Sequence, residues 1–217
     1  MKSAIVIGAS GLVGSFITLK LLDDERYQSV KVFVRNSLRI NHPKLEENIV
    51  SFEYLETWKS KIAADELFSA LGTTIKKAGS KENQYKVDFT YQYEIAAAAA
   101  QNGVKKYLLV SSIGADYKSR NFYLRMKGNL DEKVRQLNFE KIRIFRPSIL
   151  EGLRSESRPG ETAGIKIAGI ITSVIPALKK YKPIRASEVA EAMIKSANQN
   201  NVEKVLIIES LGIFKML

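Results

Sequence analysis

Residues 5–16 read IVIGASGLVGSF, an apolar run that enters Gly8, Gly11 and Gly14 and then a helical pattern. A strand passing through a glycine turn directly into a helix limits the chain to folds in which a strand's end faces a helix N-terminus. The alternation continues. Strand-like runs at 3–7, 30–34, 49–53, 66–71, 106–111, 141–146 and 203–208 are separated by helical periodicity at 11–23, 83–101, 120–137, 162–174 and 187–198. Strands separated by helices pair in parallel, because a parallel neighbour is reached only by a crossover. The expected fold class is α/β, a doubly wound, mostly parallel sheet with helices on both faces and about seven strands. With 217 residues, 45% of them hydrophobic, one core is enough, so 1–217 reads as a single domain in which 148–185 supplies a small C-terminal cap. Within the cap, the Gly/Ser/Arg/Pro-rich stretch at 151–161 leads into the segment 162–178. That segment reads as a capping helix or subunit contact, with peripheral membrane association as a weaker reading. Ser187 reads as the N-cap of the helix that follows.

Cysteine is absent and histidine occurs once, as His42 beside Pro43 in a polar stretch. Thiolate nucleophiles, disulfides and Cys/His metal sites are excluded, and a Ser-His-Asp triad would have to use that one loop histidine. The start, MKSAIVIGAS, has no apolar segment of the secretory type, and the longest apolar stretch, 167–178, lies between Lys166 and Lys179 and is too short to span a bilayer. A cytoplasmic protein without a transmembrane segment is the expectation. The net charge of +11 is concentrated: residues 104–185 hold 18 Lys and Arg against 7 Asp and Glu. Either this is a solvated surface or it faces an anionic ligand.

At the opening turn, Gly8 permits a tight reversal, Gly11 a close backbone approach and Gly14 the packing of helix on strand. A dinucleotide's pyrophosphate could then meet the helix N-terminus, which makes Gly8, Ser10, Gly11, Leu12, Val13 and Gly14 cofactor-binding candidates. The second strand ends VFVRNSLR. A guanidinium at Arg35 would pair with the 2′-phosphate of NADP, where an acidic residue would select NAD. NADP is expected, with NAD left open.

The segment NFYLRMKG places Tyr123 and Lys127 four residues apart on one helical face. A phenol is a poor acid–base catalyst near neutral pH, and an adjacent ammonium stabilises its phenolate. Ser111 and Ser112 follow the fifth strand, at the sheet edge where such folds bind ligands. Ser, Tyr and Lys together make a carbonyl-polarising and proton-transfer set.

Gly8, Gly11 and Gly14, LGTT at 71–74, VSS at 110–112, Tyr123 with Lys127, and FRPS at 145–148 together resemble the short-chain dehydrogenase/reductase superfamily. More narrowly, ALGTTIKKAGS, SSIGAD, FYLRMKG and SESRPGE resemble its atypical members related to the Tat-interacting protein oxidoreductases. The resemblance implies a Rossmann sheet and catalytic roles for Ser112 (carbonyl polarisation), Tyr123 (proton transfer) and Lys127 (tuning Tyr123 and holding the nicotinamide ribose). It also implies that Leu71, Gly72 and Thr73 line the cofactor, joined by Ser111, and that Pro147 and Ser148 flank the nicotinamide. Many relatives carry an Asp at the end of the third strand, where this chain offers Ser51 or Glu53. The function so implied is an NADP(H)-preferring oxidoreductase acting on a small carbonyl or alcohol, the alternative being a dinucleotide-binding regulatory or redox-sensing protein. The expected partner is a small-molecule substrate, anionic if the basic segment faces it. No nucleic-acid motif occurs, and a homo-oligomer is left open.

Overall fold

The computed structural model describes residues 1–151, 181–200 and 202–217. The chain runs through β1 (Lys2–Ile7), α1 (Leu12–Asp23), β2 (Tyr27–Val34), β3 (Leu45–Ile49) and β4 (Glu66–Ser69). It continues through two short helices, α2 (Ile75–Ala78) and α3 (Lys81–Tyr85), a π-helical segment (Lys86–Tyr91), α4 (Gln92–Gln101), β5 (Lys106–Val110), α5 (Phe122–Arg135) and β6 (Lys141–Arg146). After a short pair, β7 (Leu150–Glu151) and β8 (Ile184–Arg185), it ends with α6 (Ala186–Ala197), β9 (Val205–Glu209) and α7 (Ser210–Lys215). Most of the expected cap, including the helix at 162–174 and the SESRPGE motif, lies outside the described residues.

The main sheet has seven strands in the order β3-β2-β1-β4-β5-β6-β9, and every pair is parallel. Strand order reverses between β1 and β4, the switch point at which sheets of this kind open a crevice at their carboxyl ends. Both faces are covered, and the side-chain alternation shows it: Ala4 and Val6 of β1 join one core layer, Ile5 and Ile7 the other. The first layer packs under α1 and α6 through Ile17, Leu21, Val189 and Met193. The second packs under α4 and α5 through Ile95, Ala99, Leu130 and Val134, with Trp58 closing the β2 end. The alanine run at 96–100 gives α4 a low-profile face, with Ala96, Ala98 and Ala99 buried.

Three local expectations shift. The third strand is Leu45–Ile49 rather than 49–53. As an edge strand it buries little, so its sequence carries weak alternation. The apolar run that stood out instead sends Phe52 into the core, edge-on to Trp58 at 5.8 Å. The helical pattern at 83–101 is divided, because the turn from Lys86 to Tyr91 is π-helical and carries Asp88 into the interior. The penultimate helix starts at Ala186, ahead of Ser187, and the Glu188 carboxylate accepts the Arg185 N–H at 2.9 Å.

Trp58 stacks on Phe33 with centroids 4.8 Å apart, and its Nε1 donates to the Ser51 carbonyl at 2.9 Å. Trp58→Ala is expected to cost about 3–5 kcal/mol of stability, and Trp58→Phe, which keeps most of the ring contact, only about 1 kcal/mol. Urea unfolding followed by circular dichroism measures both. Equal, small losses would show that this corner does not contribute to the core.

Candidate active site

The carboxyl ends of β1, β2, β3 and β4 surround a cleft of about 730 Å³. Gly8, Ser10 and Gly11 line it from the first turn, Arg35 from the end of β2, and Leu71, Gly72 and Thr73 from the loop after β4. Gly8 has φ of +81°, and a Cβ there would lie 2.5 Å from the Ala70 carbonyl oxygen. At Gly14 a Cβ would lie 2.1 Å from the Gly8 carbonyl oxygen, so only glycine lets α1 rest on the turn. Gly11 is the N-cap of α1 and brings no side-chain cap to its first turn. Uncapped first-turn N–H groups at a glycine-lined cleft fit a pyrophosphate. Val13 is buried in the core, so it can reach a ligand only through its main chain, while Leu12 is partly buried and packs against the same core.

On the far wall the Lys86 ammonium lies 2.5 Å from the Glu53 carboxylate, and Tyr91 donates to the same oxygen at 3.5 Å. Lys86 thereby holds the Glu53 carboxyl below its usual range. Ser51 and Glu53 both line the cleft from the segment that follows β3.

The Asn121 side chain caps α5 by accepting the Leu124 N–H at 3.1 Å, which starts the helix one turn ahead of Lys127. Tyr123 is 36% exposed, whereas Lys127 is buried with its Nζ 6.0 Å from the centre of the Tyr123 ring. Tyr27 and Lys31 share the spacing but both lie in β2, where the Tyr27 hydroxyl donates to buried Glu66 at 2.6 Å. Beyond β5, the Ser111 N–H donates to the Phe145 carbonyl at 2.7 Å and the Ile113 N–H to the Pro147 carbonyl at 3.0 Å. This pairing keeps Ser112 beside Pro147. The Ser112 hydroxyl is half-buried and donates to the Ile113 carbonyl at 3.3 Å.

Two expected ligand residues face inward. Ser111 is buried beside Asp131. The Ser148 hydroxyl donates to the Lys182 carbonyl and accepts from Ser210 at 3.1 Å. Burial drives the Asp131 carboxyl above its usual range, against the opposing pull of Ser111, Arg146 and Lys127. Arg146 bonds Asp131 at 2.8 Å and Glu209 at 3.1 Å.

Sequence reasoning missed Asp88, whose carboxylate lies 3.1 Å from Lys127 Nζ. The signal was present: Asp88, Gln92 and Ile95 follow helical spacing and all are buried, so an acid stood on the inward face. The basic segment also changes meaning in space. Lys106, Lys127 and Arg146 pair with Glu66, Asp88 and Glu209, acids from outside 104–185. Beside the first turn of α5, Arg120, Arg125 and Lys81 line a depression of about 660 Å³.

Residues 8–144 match the family model described as NAD(P)H-binding. The chain is 36% identical over 186 residues to the mitochondrial protein fmp52 of Emericella nidulans, covering 82% of this chain and 80% of that one. It is 34% identical over 172 residues to HTATIP2 of Rattus norvegicus, covering 77% of this chain and 71% of that one. Among solved structures, a short-chain dehydrogenase/reductase superfamily protein from Agrobacterium tumefaciens with bound NAD matches with a TM-score of 0.72 at 13% identity, over 95% of this chain and 77% of that one. The expected cytoplasmic location is corrected by these relatives, since the fmp52 proteins are named as mitochondrial. Screening the N-terminus for a secretory signal does not test that address. Among the described residues no helix is long and apolar enough to cross a membrane. A family match running from Gly8 into β6, with relatives that span most of the chain, places this protein in the NAD(P)H-binding family, with a fold like that of the short-chain dehydrogenase/reductase superfamily.

Proposed function

We propose that the chain is an NADP(H)-preferring oxidoreductase acting on a small carbonyl or alcohol substrate, with Ser112, Tyr123 and Lys127 as its catalytic residues. The single observation that carries this reading is the Tyr123–Lys127 pair, a partly exposed phenol 6.0 Å from a buried ammonium on one face of α5. When bound, the nicotinamide cofactor supplies or takes up the hydride. In the reducing direction the Ser112 hydroxyl donates to the substrate carbonyl oxygen, and the Tyr123 hydroxyl delivers the proton that this oxygen gains as the carbon receives hydride. The Lys127 ammonium stabilises the phenolate left on Tyr123 and holds ribose hydroxyls. Solvent returns the proton to Tyr123. The first glycine turn holds the pyrophosphate, and Arg35 pairs with the 2′-phosphate. The described residues form one dinucleotide-binding domain, and the protein works in a mitochondrial setting like that named for its fmp52 relatives.

NADPH should bind more tightly than NADH, and Arg35→Ala should lose most of that preference, because a guanidinium pairs with a phosphate by charge and by paired N–H groups. Fluorescence titration of both cofactors decides it, and an Arg35→Ala protein that keeps the preference contradicts the assignment. Tyr123→Phe should reduce turnover of a carbonyl panel by about 10²-fold or more while leaving cofactor affinity within about twofold. Retained turnover in that variant would overturn the mechanism, and absence of turnover in the parent would favour the regulatory alternative. Arg120, Arg125 and Lys81 favour an anionic substrate. For such a substrate kcat/KM should fall with added salt more steeply than for a matched neutral carbonyl, once NADPH binding is corrected for; equal slopes would remove the anionic assignment.

A further inference from the structure

Asp88 is 2% exposed and sits in the π-helical turn facing α5. One carboxylate oxygen lies 3.1 Å from Lys127 Nζ, and the other accepts the Thr73 N–H at 2.7 Å. One side chain therefore engages both a helix residue from the proposed catalytic set and a turn that lines the cleft. Gly72 leaves room for it: a Cβ there would stand 3.1 Å from the oxygen that meets Lys127. The π-helical turn is itself fixed, because Gln92 donates to the Asp88 carbonyl at 2.8 Å and accepts from the Ser69 hydroxyl at 2.8 Å.

A lysine as buried as Lys127, at 4% exposure, favours its neutral form unless a counter-charge stands beside it. On the reading that Lys127 contacts the cofactor, we propose that Asp88 is the positioning residue of this site: its carboxylate fixes the Lys127 ammonium, keeps it charged, and ties it to the Thr73 turn.

The groups facing Lys127 are Asp88 from the π-helical turn and Tyr123 and Asp131 from its own helix, with Arg146 of β6 bound to Asp131. Burial alone would press Lys127 down, and Asp88, followed by Tyr123 and Asp131, more than reverses this, so that Lys127 stays protonated above its usual range. Asp131 is already shared with Arg146, which leaves Asp88 as the principal balance. Asp88→Asn keeps the shape and an acceptor for Thr73 but turns an amide donor toward the ammonium. Burial then dominates, Lys127 loses its proton at lower pH, and interactions that need the ammonium are lost as pH rises through that value.

The test is the NADPH dissociation constant between pH 6.5 and 9.5 for the parent and for Asp88→Asn, Lys127→Ala, Lys127→Arg and the Asp88→Asn/Lys127→Arg double variant. The parent should be flat and Lys127→Ala uniformly weaker. Asp88→Asn should weaken by up to about tenfold for each pH unit above the new Lys127 pKa, and the double variant should be flat and tighter, since a guanidinium keeps its charge. If Asp88→Asn is already weak at the acid end, restoration by Lys127→Arg in that background supports the proposal, and failure to restore overturns it. A profile parallel to the parent also overturns it, because a packing defect alone gives that result. The parent provides a check that does not require Asp88→Asn to fold: if its affinity falls across this window while that of Lys127→Arg does not, Asp88 is not keeping the ammonium charged. Should Lys127→Ala bind like the parent, the cofactor role of Lys127 fails and the proposal falls with it. Weakening in Lys127→Ala with a flat Asp88→Asn profile would remove Asp88 alone.

Discussion

Seven parallel strands place seven carboxyl ends on one edge of the sheet, and the chain's chemistry-bearing residues follow from that constraint. Each strand must be left by a loop at that edge and re-entered from the other. The glycine turn after β1, Arg35 after β2 and the Leu71–Thr73 loop after β4 therefore line one cleft, and Ser112 follows β5 on the same edge of the sheet, although these residues span more than a hundred positions in sequence. The most restrictive point on this edge is Gly14 against the Gly8 carbonyl, where a Cβ would lie 2.1 Å from the oxygen. Any larger residue there displaces α1 and with it the helix N-terminus that faces the cleft.

Charge pairing then fixes α5, the helix that carries Tyr123 and Lys127. Lys127 is held by Asp88 across the second layer, and Asp131, one turn further along, is held by Arg146 of β6. Buried pairs of this kind contribute little net stability, because desolvation offsets most of their attraction, but removal of one partner is costly. Their effect here is geometric. They set the rotation of α5 about its axis, so that Tyr123 is partly exposed while Lys127 is buried with its Nζ 6.0 Å from the Tyr123 ring centre.

Near-continuous apolar runs made β1, β2, β5 and β6 legible in the sequence, because strands covered on both faces must carry apolar residues on both. The apolar signal for the edge strand β3 falls at 49–53 rather than on the strand itself, since LEENI buries too little to leave a pattern and its neighbour Phe52 carries the visible apolar residue. The glycine cradle, Arg35, and the Tyr123–Lys127 spacing were readable because each demands a residue type at a fixed local interval. Asp88 was legible only as an acid at an inward-facing helical position; its partners were not, since Thr73 and Lys127, 15 and 39 residues away, reach it only in space. For the same reason the basic segment looked more one-sided in sequence than it is in the fold, where Glu66, Asp88 and Glu209 balance part of it.

The most direct measurement of the central claim is a crystal structure of the chain with NADPH. The account predicts the pyrophosphate at the N-terminus of α1 beside Gly11, the 2′-phosphate on Arg35, and the nicotinamide ribose within hydrogen-bond reach of Lys127 with the ring beside Tyr123. A nucleotide seated elsewhere, or one whose nicotinamide end leaves the cleft away from Tyr123 and Lys127, would contradict it.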